Sequence, residues 1–354
     1  MYTSSLDYNW YESGRVDEFV YEMLDPHDVT KTRGILTGVD SGGASLTLSS
    51  SLDTLVSGSL KLYGSNYIKN SLIRVWHVVE AWGLRYPIAT FYVGDIDYSY
   101  ENGVEAASLS LLSTLVLLSD KAFTRHYTIK AGTTTDEVLI SLFEESGIKY
   151  SLSSAAYSGG YTNAVIYDYG TTALEILKDA VTKAGCEYRL DGEGTLRVTK
   201  IEEPSTAGIV YTFDPTQKDT VIIGAVSVKD VTGTAVSTVG LEYSSGDVTI
   251  SGEAHLDNSS LSSKQQRGRE VTSIVSISDM SPVLTSEALR LAEVELSNTI
   301  VATEYAFTML YLPLEPGDAV SLILNGVTHK CQVASLDNIS LTPGLQLSII
   351  LKEV

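Results

Sequence analysis

The side chains that could do chemistry are few and scattered. Asp95 and Asp97, in the run Gly94-Asp95-Ile96-Asp97 after an expected strand, are the carboxylate pair that stands out. Two acids flanking a sugar at about 5–10 Å would suit glycoside hydrolysis. The alternative is a solvated loop, because a chain with 44 acids produces such pairs by chance. His329 and Cys331 lie two apart on an expected strand and could share one face as metal ligands, but two ligands do not make a site. The other histidines, His27, His77, His126 and His255, are far apart in sequence. Asp191-Gly192-Glu193-Gly194 looks like a Gly-rich cofactor loop only superficially; it lacks the third glycine, and a hairpin turn accounts for it. Lys264, Arg267 and Arg269 form the one basic cluster, without interleaved aromatics, which fits a solvated loop better than a nucleic-acid site. No Gly-x-Ser-x-Gly elbow, Walker-type phosphate loop or His-Glu-x-x-His is present. The expectation is therefore no enzyme, with no catalytic, cofactor-binding or metal-binding residues.

The elements that would have to position these groups fall into three regions. Residues 1–125 read mostly as β. Ser71 to Val79 and Arg85 to Val93 are rich in β-branched and aromatic residues, with a turn over Glu80 to Leu84 that carries Gly83. Gly34 to Val39 and Ala44 to Leu48 flank Asp40-Ser41-Gly42-Gly43, a second hairpin signal. Val104 to Leu111 follows Glu101-Asn102-Gly103, a third. Five or more strands with short turns suggest a small barrel or sandwich.

Residues 126–203 carry an internal repeat. At an offset of 38, Gly132, Thr133, Thr134, Glu137, Leu139, Gly147, Tyr150 and Leu152 recur as Gly170, Thr171, Thr172, Glu175, Leu177, Gly185, Tyr188 and Leu190. Thr134 with Glu137, and Thr172 with Glu175, fit the Thr-x-x-Glu capping box of a helix start. Val138, Leu139, Leu142 and Phe143 share one helical face, as do Ile176, Leu177, Ala180 and Val181. Gly147 and Gly185 stand where a left-handed stop belongs, each before a short strand. A final hairpin pairs Glu187 to Leu190 with Thr195 to Thr199. Cys186 occupies the position of Ile148 in the first copy, which favours a core thiol over a reactive one.

Residues 204–354 return to β. Val221 to Val228 is one strand, and the end is a meander: Ala319 to Leu324, a turn at Asn325-Gly326, Thr328 to Leu336, then Leu345 to Leu351 after Pro343-Gly344. A polar insert occupies about 231–300. In it, Gly252 to Glu270 reads as a long mobile loop, and Leu284, Ala288, Leu291 and Val294 mark an amphipathic helix starting near Ser281-Pro282.

Composition narrows the partners. The 354 residues carry a formal charge of −20, spread as −5, −6 and −9 over 1–130, 131–203 and 204–354. Such a surface argues against a non-specific grip on nucleic acid, which needs Lys and Arg to displace phosphate counterions, and against docking on anionic lipid. The apolar run Leu109 to Leu118 is half the length of a membrane span, about 20 residues. The N-terminal stretch has neither a basic start nor an apolar core, so no signal peptide and no stable membrane insertion are expected. Two cysteines cannot make a disulfide framework. Tyrosine is abundant, 21 against 6 Phe and 3 Trp, and suits strands and protein–protein surfaces.

The order of β-domain, helix–strand pair and β-domain with a closing meander resembles the hub proteins of phage tails and related contractile injection machines. Thr90-Phe91-Tyr92-Val93-Gly94 leading into Leu109 to Asp120, Tyr127 to Ile148, Gly170 to Val198, and Pro316-Gly317-Asp318 carry the resemblance. It implies an α+β, mostly β fold. Two tube-like β-barrel domains (1–125 and 204–354, the second with its polar insert) would be joined by a small α/β domain (126–203) of two helix–strand units. It further implies a structural protein of the virion: a homotrimeric ring with six barrels that adapts a hexameric tail tube or distal tail protein to tip, spike or receptor-binding proteins. DNA would be transient cargo, repelled by a carboxylate-lined bore. Two alternatives are a tail-associated cell-wall hydrolase using Asp95 and Asp97, and a tail-tube-like protein without hub function.

Overall fold

The structure is a computed structural model that describes residues 15–49, 55–64, 66–101, 103–153, 160–201, 208–217, 220–230, 234–245, 248–260, 262–278, 285–299, 303–341 and 346–354. The first region contains β1 (Glu18–Asp25), β2 (Asp28–Ile35), β3 (Ser45–Ser49), β4 (Val56–Tyr63), β5 (Leu72–Val79), β6 (Leu84–Glu101) and β7 (Val104–Ser113), then one helical turn, α1 (Val116–Ser119). The β5–β6 turn closes on Gly83 at φ +62°, a conformation that glycine adopts without steric cost. The hairpin expected across Asp40 to Gly43 does not form. Asp40 instead caps a short 3-10 turn by accepting from the Gly42 N–H, and β2 pairs β1 while β3 pairs β4. Asp-Ser-Gly-Gly serves either turn, because an Asp side chain that bonds two residues ahead is equally a helix cap.

The middle region follows the repeat element by element: β8 (Tyr127–Ile129), α2 (Thr135–Ser146) and β9 (Tyr150–Leu152) are matched by β10 (Val165–Tyr167), α3 (Ala173–Lys183) and β11 (Cys186–Leu190), and β12 (Leu196–Lys200) closes the hairpin. Both capping boxes are present. Thr134 Oγ1 accepts from the Glu137 N–H at 3.2 Å while Glu137 accepts from the Thr134 N–H at 2.8 Å. Thr172 and Glu175 repeat this at 3.2 and 2.7 Å. Hydrogen bonds, first from the Thr134 and Thr172 backbone, hold both Glu carboxyls below their ordinary range.

The repeat reaches further back than the sequence indicates, and its two copies exchange contacts. The Phe123 N–H donates to Thr171 O and the Gly170 N–H to Phe123 O; 38 residues on, the Tyr161 N–H donates to Thr133 O and the Gly132 N–H to Tyr161 O. Each copy's leading segment thus braces the other copy's helix start. β8 and β10 pair antiparallel about Thr128 and Ile166, themselves 38 apart, which makes the arrangement a local two-fold.

The last region contains β13 (Tyr211–Phe213), β14 (Ile222–Asp230), β15 (Thr238–Ser245), β16 (Val248–His255), α4 (Lys264–Arg267), β17 (Thr272–Ser278), α5 (Thr285–Thr299), β18 (Thr303–Leu310), β19 (Ala319–Leu324), β20 (Val327–Ser340) and β21 (Gln346–Glu353). Asn325 and Gly326 both have positive φ, 52° and 79°, the requirement of the tight β19–β20 turn. Tyr305, Phe307 and Met309 of β18 and Leu347, Ile349 and Leu351 of β21 alternate inward at period two and fill the core.

The two β regions meet edge to edge. β20 pairs β3, so a thirteen-stranded sheet runs β14-β18-β21-β20-β3-β4-β7-β6-β5-β1-β2, with β19 beside β20 and β13 beside β19. One hydrophobic cluster serves both regions. The stretch Gly252 to Glu270, expected as one long loop, holds regular structure. β16 covers its first residues, α4 lies inside it, and Ser262 and Ser263 are buried. β16-β15-β17 form a sheet whose inner residues Val239, Leu241 and Ile277, with Ala288 and Leu291 of α5, join the core of α2 and α3. The expected helix exists as α5; Ser281, Pro282 and Leu284, like Pro343-Gly344 and Asn102, lie outside the described residues. No described helix is long and apolar enough to cross a membrane.

Candidate functional site

Asp95 and Asp97 lie within β6, not in a loop after it. β6 continues past a bulge between Val93 and Ile96 in its pairing with β7, and both acids are exposed on the strand. His329 and Cys331 do not build a metal site. Cys331 is fully buried, and desolvation pushes its thiol up to about 12, away from the thiolate a metal needs. His329 Nδ1 is instead 2.7 Å from Glu353 Oε1 and 3.0 Å from the Tyr305 hydroxyl. Burial opposes ionisation of Glu353, but hydrogen bonds from His329, Thr303 and Tyr305 hold its carboxyl below the usual range. Among the described residues no three His, Cys, Asp or Glu side chains converge as a metal site. The basic cluster is used internally: Lys264 bonds Glu270 at 2.8 Å and Arg267 donates to Ala235 O at 2.7 Å.

The most catalytic-looking constellation is not visible in the sequence. On the neighbouring strands β5 and β6, His77 and Tyr86 point inward, and Asp17 comes from the segment before β1. His77 Nε2 is 2.5 Å from Asp17 Oδ1 and Nδ1 is 2.6 Å from the Tyr86 hydroxyl. Tyr311, from the far half of the sheet, hydrogen-bonds Tyr86, and Arg15 bonds both Asp17 and Tyr311 O. Burial drives the His77 pKa below its ordinary value, more than Asp17 raises it. Burial also opposes ionisation of Asp17, but the hydrogen bonds from His77 and Arg15 win and keep it ionised. Burial holds Tyr86 protonated. These directions fix one arrangement: neutral His77 donates from Nε2 to a carboxylate and accepts at Nδ1 from Tyr86. His77 is 0% exposed, Tyr86 2%, Tyr311 3% and Asp17 7%. A substrate cannot reach a relay enclosed in this way, so its role is to fasten the N-terminal segment and the two halves of the sheet together.

Asp191 to Gly194 also proves to be a fastening. The turn of the β11–β12 hairpin inserts into the first β region, where Thr90 Oγ1 donates to Gly192 O at 2.9 Å, Thr114 Oγ1 to Gly194 O at 3.0 Å and Arg74 to Glu193 O at 3.3 Å. A Cβ on Gly192 would lie 2.0 Å from Pro87 O, so glycine is required there for close backbone approach, not for a phosphate. A cleft of about 530 Å³ opens between α3–β11, β3 and the β19 entry, lined among others by Val181, Cys186, Arg189 and Glu315. Arg189 lies over Gly317, where a Cβ would sit 2.2 Å from its guanidinium. Burial raises the carboxyls of Glu315 and of the neighbouring Asp318, and for Asp318 the Glu315 N–H at 2.8 Å, and then Arg189, partly offset this. Tyr98 and Tyr100 near the tip of the β6–β7 hairpin are 54% and 78% exposed.

This architecture is shared with solved phage tail proteins. The tail protein from Neisseria meningitidis MC58 matches 95% of this chain and 97% of its own at 15% identity, with a TM-score of 0.65. The 43 kDa tail protein of prophage MuSo2 from Shewanella oneidensis matches 95% and 98% at 16% identity and a TM-score of 0.63. Prophage tail protein gp18 from Listeria monocytogenes EGD-e matches 94% of each chain at 11% identity and a TM-score of 0.59. No family model and no curated protein matches the sequence. The chain thus has the fold of phage tail proteins along nearly its whole length.

Proposed function

We propose that the chain is a structural hub of a phage tail tip or baseplate. It forms a homotrimeric ring that adapts a hexameric tail tube to distal tip or receptor-binding components and lets DNA pass. The observation that carries this reading is a likeness spanning at least 94% of both chains in each of three tail proteins, so the whole architecture is shared and not one module. The interior agrees with a scaffold: its most elaborate polar networks join segments to one another and are closed to solvent. Each chain has two β regions, so a trimer would present six, the number a six-fold tube presents. The charge of −20 suits a bore past which phosphates slide without sticking.

Sedimentation of the purified chain tests the stoichiometry. The expected species has three times the 38.2 kDa chain mass. A monomer mass held across a wide concentration range contradicts the ring.

A further inference from the structure

The cleft where the three regions meet has the size of a binding pocket, about 530 Å³ against the roughly 300–1,000 Å³ usual for one. Its floor is apolar. Leu48 of β3, Val56 of β4, Val181 of α3 and Cys186 at the start of β11 all line it, and all are buried. Its charged lining runs against the rest of the chain. Three bases, Lys178, Arg189 and Lys352, stand there with two acids, Glu187 and Glu315. The whole chain has 24 bases and 44 acids, so the balance is reversed inside the cleft.

Neither acid cancels the two lysines. Glu187 is taken by Arg189 at 2.7 Å, and burial opposes ionisation of Glu315. Lys352 is half-buried and makes no ion pair with a described residue. Its cross-strand neighbours are Gln332, another lining residue, and Glu304, whose carboxylate is bonded to Lys229 at 2.9 Å. Lys178 attracts Glu175, one turn back on α3, but that carboxylate is held by the Thr172 N–H and hydroxyl. The two lysines thus come from different regions, α3 and β21, and leave a surplus of positive charge over one apolar floor. A pocket of this composition selects an apolar body that ends in an anion.

We infer that the cleft captures the C-terminal end of a partner protein, with an apolar last side chain on the floor and the terminal carboxylate between Lys178 and Lys352. Charge complementarity calls for the carboxylate and the floor for the apolar group; a polypeptide carries both on one residue only at its C-terminus. An inorganic anion would satisfy the lysines and leave the floor empty. The choice of a protein as carrier rests on the tail reading, in which the neighbours of this chain are proteins. The cleft itself lies within one chain and does not depend on the ring.

The probe is a fluorescently labelled tetrapeptide ending in Leu-Phe with a free carboxylate, titrated with the full chain and followed by anisotropy. Saturable binding is expected, and the C-terminal amide of the same peptide should bind at least about tenfold more weakly, as for a lost charge-assisted hydrogen bond. Lys178→Glu and Lys352→Glu should each weaken the acid form by a similar factor, while Lys352→Arg retains it. Lys31→Glu, at an exposed position on β2, should change nothing. Equal binding of acid and amide, indifference to either cleft lysine, or no saturable binding overturns the site. If decanoate binds with the same lysine dependence and the peptide does not, the cleft takes a small amphiphile and the protein partner is wrong. A chain that sediments as a monomer yet binds the acid peptide through both lysines keeps the site and loses the ring; an oligomer that ignores the peptide does the reverse.

Discussion

Replacing His77 with alanine is expected to lower the free energy of unfolding by about 3–5 kcal/mol, the range for breaking a buried charged network by removing one partner. The substitution empties a fully buried site between Phe19, Tyr86 and Tyr311. It removes one of the Asp17 carboxylate's two bonded partners, leaving Arg15, and takes the His77 acceptor away from the Tyr86 hydroxyl. Asp17→Ala should cost a similar amount for the complementary reason. His27→Ala, at an exposed histidine, should stay within about 0.5 kcal/mol of the parent. Denaturant titration followed by tryptophan fluorescence measures all three, because Trp76 neighbours His77 on β5. A His77→Ala chain as stable as the parent would show that the network fastens nothing.

The same network sets a pH dependence whose sign is given by the shifts. Both His77 and Asp17 have folded pKa values below their unfolded ones. Their stability is fully present above the unfolded values and lost as pH falls. The His77 contribution should begin to fade below about 6.5 and that of Asp17 below about 3.8. In His77→Ala the first of these losses should be missing.

Gly192→Ala is the second large effect. The new methyl would meet Pro87 O at 2.0 Å and Pro87 C at 2.7 Å, both backbone atoms that cannot swing aside. The β11–β12 turn must then withdraw, and the hydrogen bonds of Thr90, Thr114 and Arg74 to its carbonyls go with it. The expected cost is at or above the top of the roughly 1–3 kcal/mol usual for overpacking. Hydrogen exchange should show the middle region loosened from the first β region while α2 and α3 stay protected, since their core is separate. Gly240→Ala, whose new methyl would have its nearest neighbour 4.0 Å away, should be tolerated. Equal tolerance at Gly192 would mean that the turn does not dock against Pro87.

What the sequence discloses about this fold is what is local. The capping boxes at Thr134 and Thr172, their apolar faces and the glycine stops need only neighbours within one turn, so the repeat is legible to the residue. The closing meander is legible because Asn325-Gly326 admits one tight turn between two alternating strands. The β3–β20 seam is not legible: it joins residues nearly 300 apart, and neither strand's pattern names its partner. β15 and β17 pair in parallel across the intervening β16 and α4, so the insert reads as polar loop. His77 sits in an apolar strand run and looks like any other inward residue. Its partner Asp17 lies 60 positions away; the alternation of Arg15 and Asp17 before a strand is the faint signal that could have marked it. For Asp95 and Asp97 the bulge hides the continuation of β6, and a glycine before two acids reads as a loop.

The proposed function stands or falls on a ring of three chains that presents six similar units. Averaged end-on images of negatively stained particles test it most directly. The expected particle is three-fold, with six lobes around an open bore, the lobes alternating in two kinds because the two β regions differ in sequence. A ring with true six-fold symmetry, built from six chains, would contradict it and favour a tube-like protein; a single particle without a bore would contradict it outright.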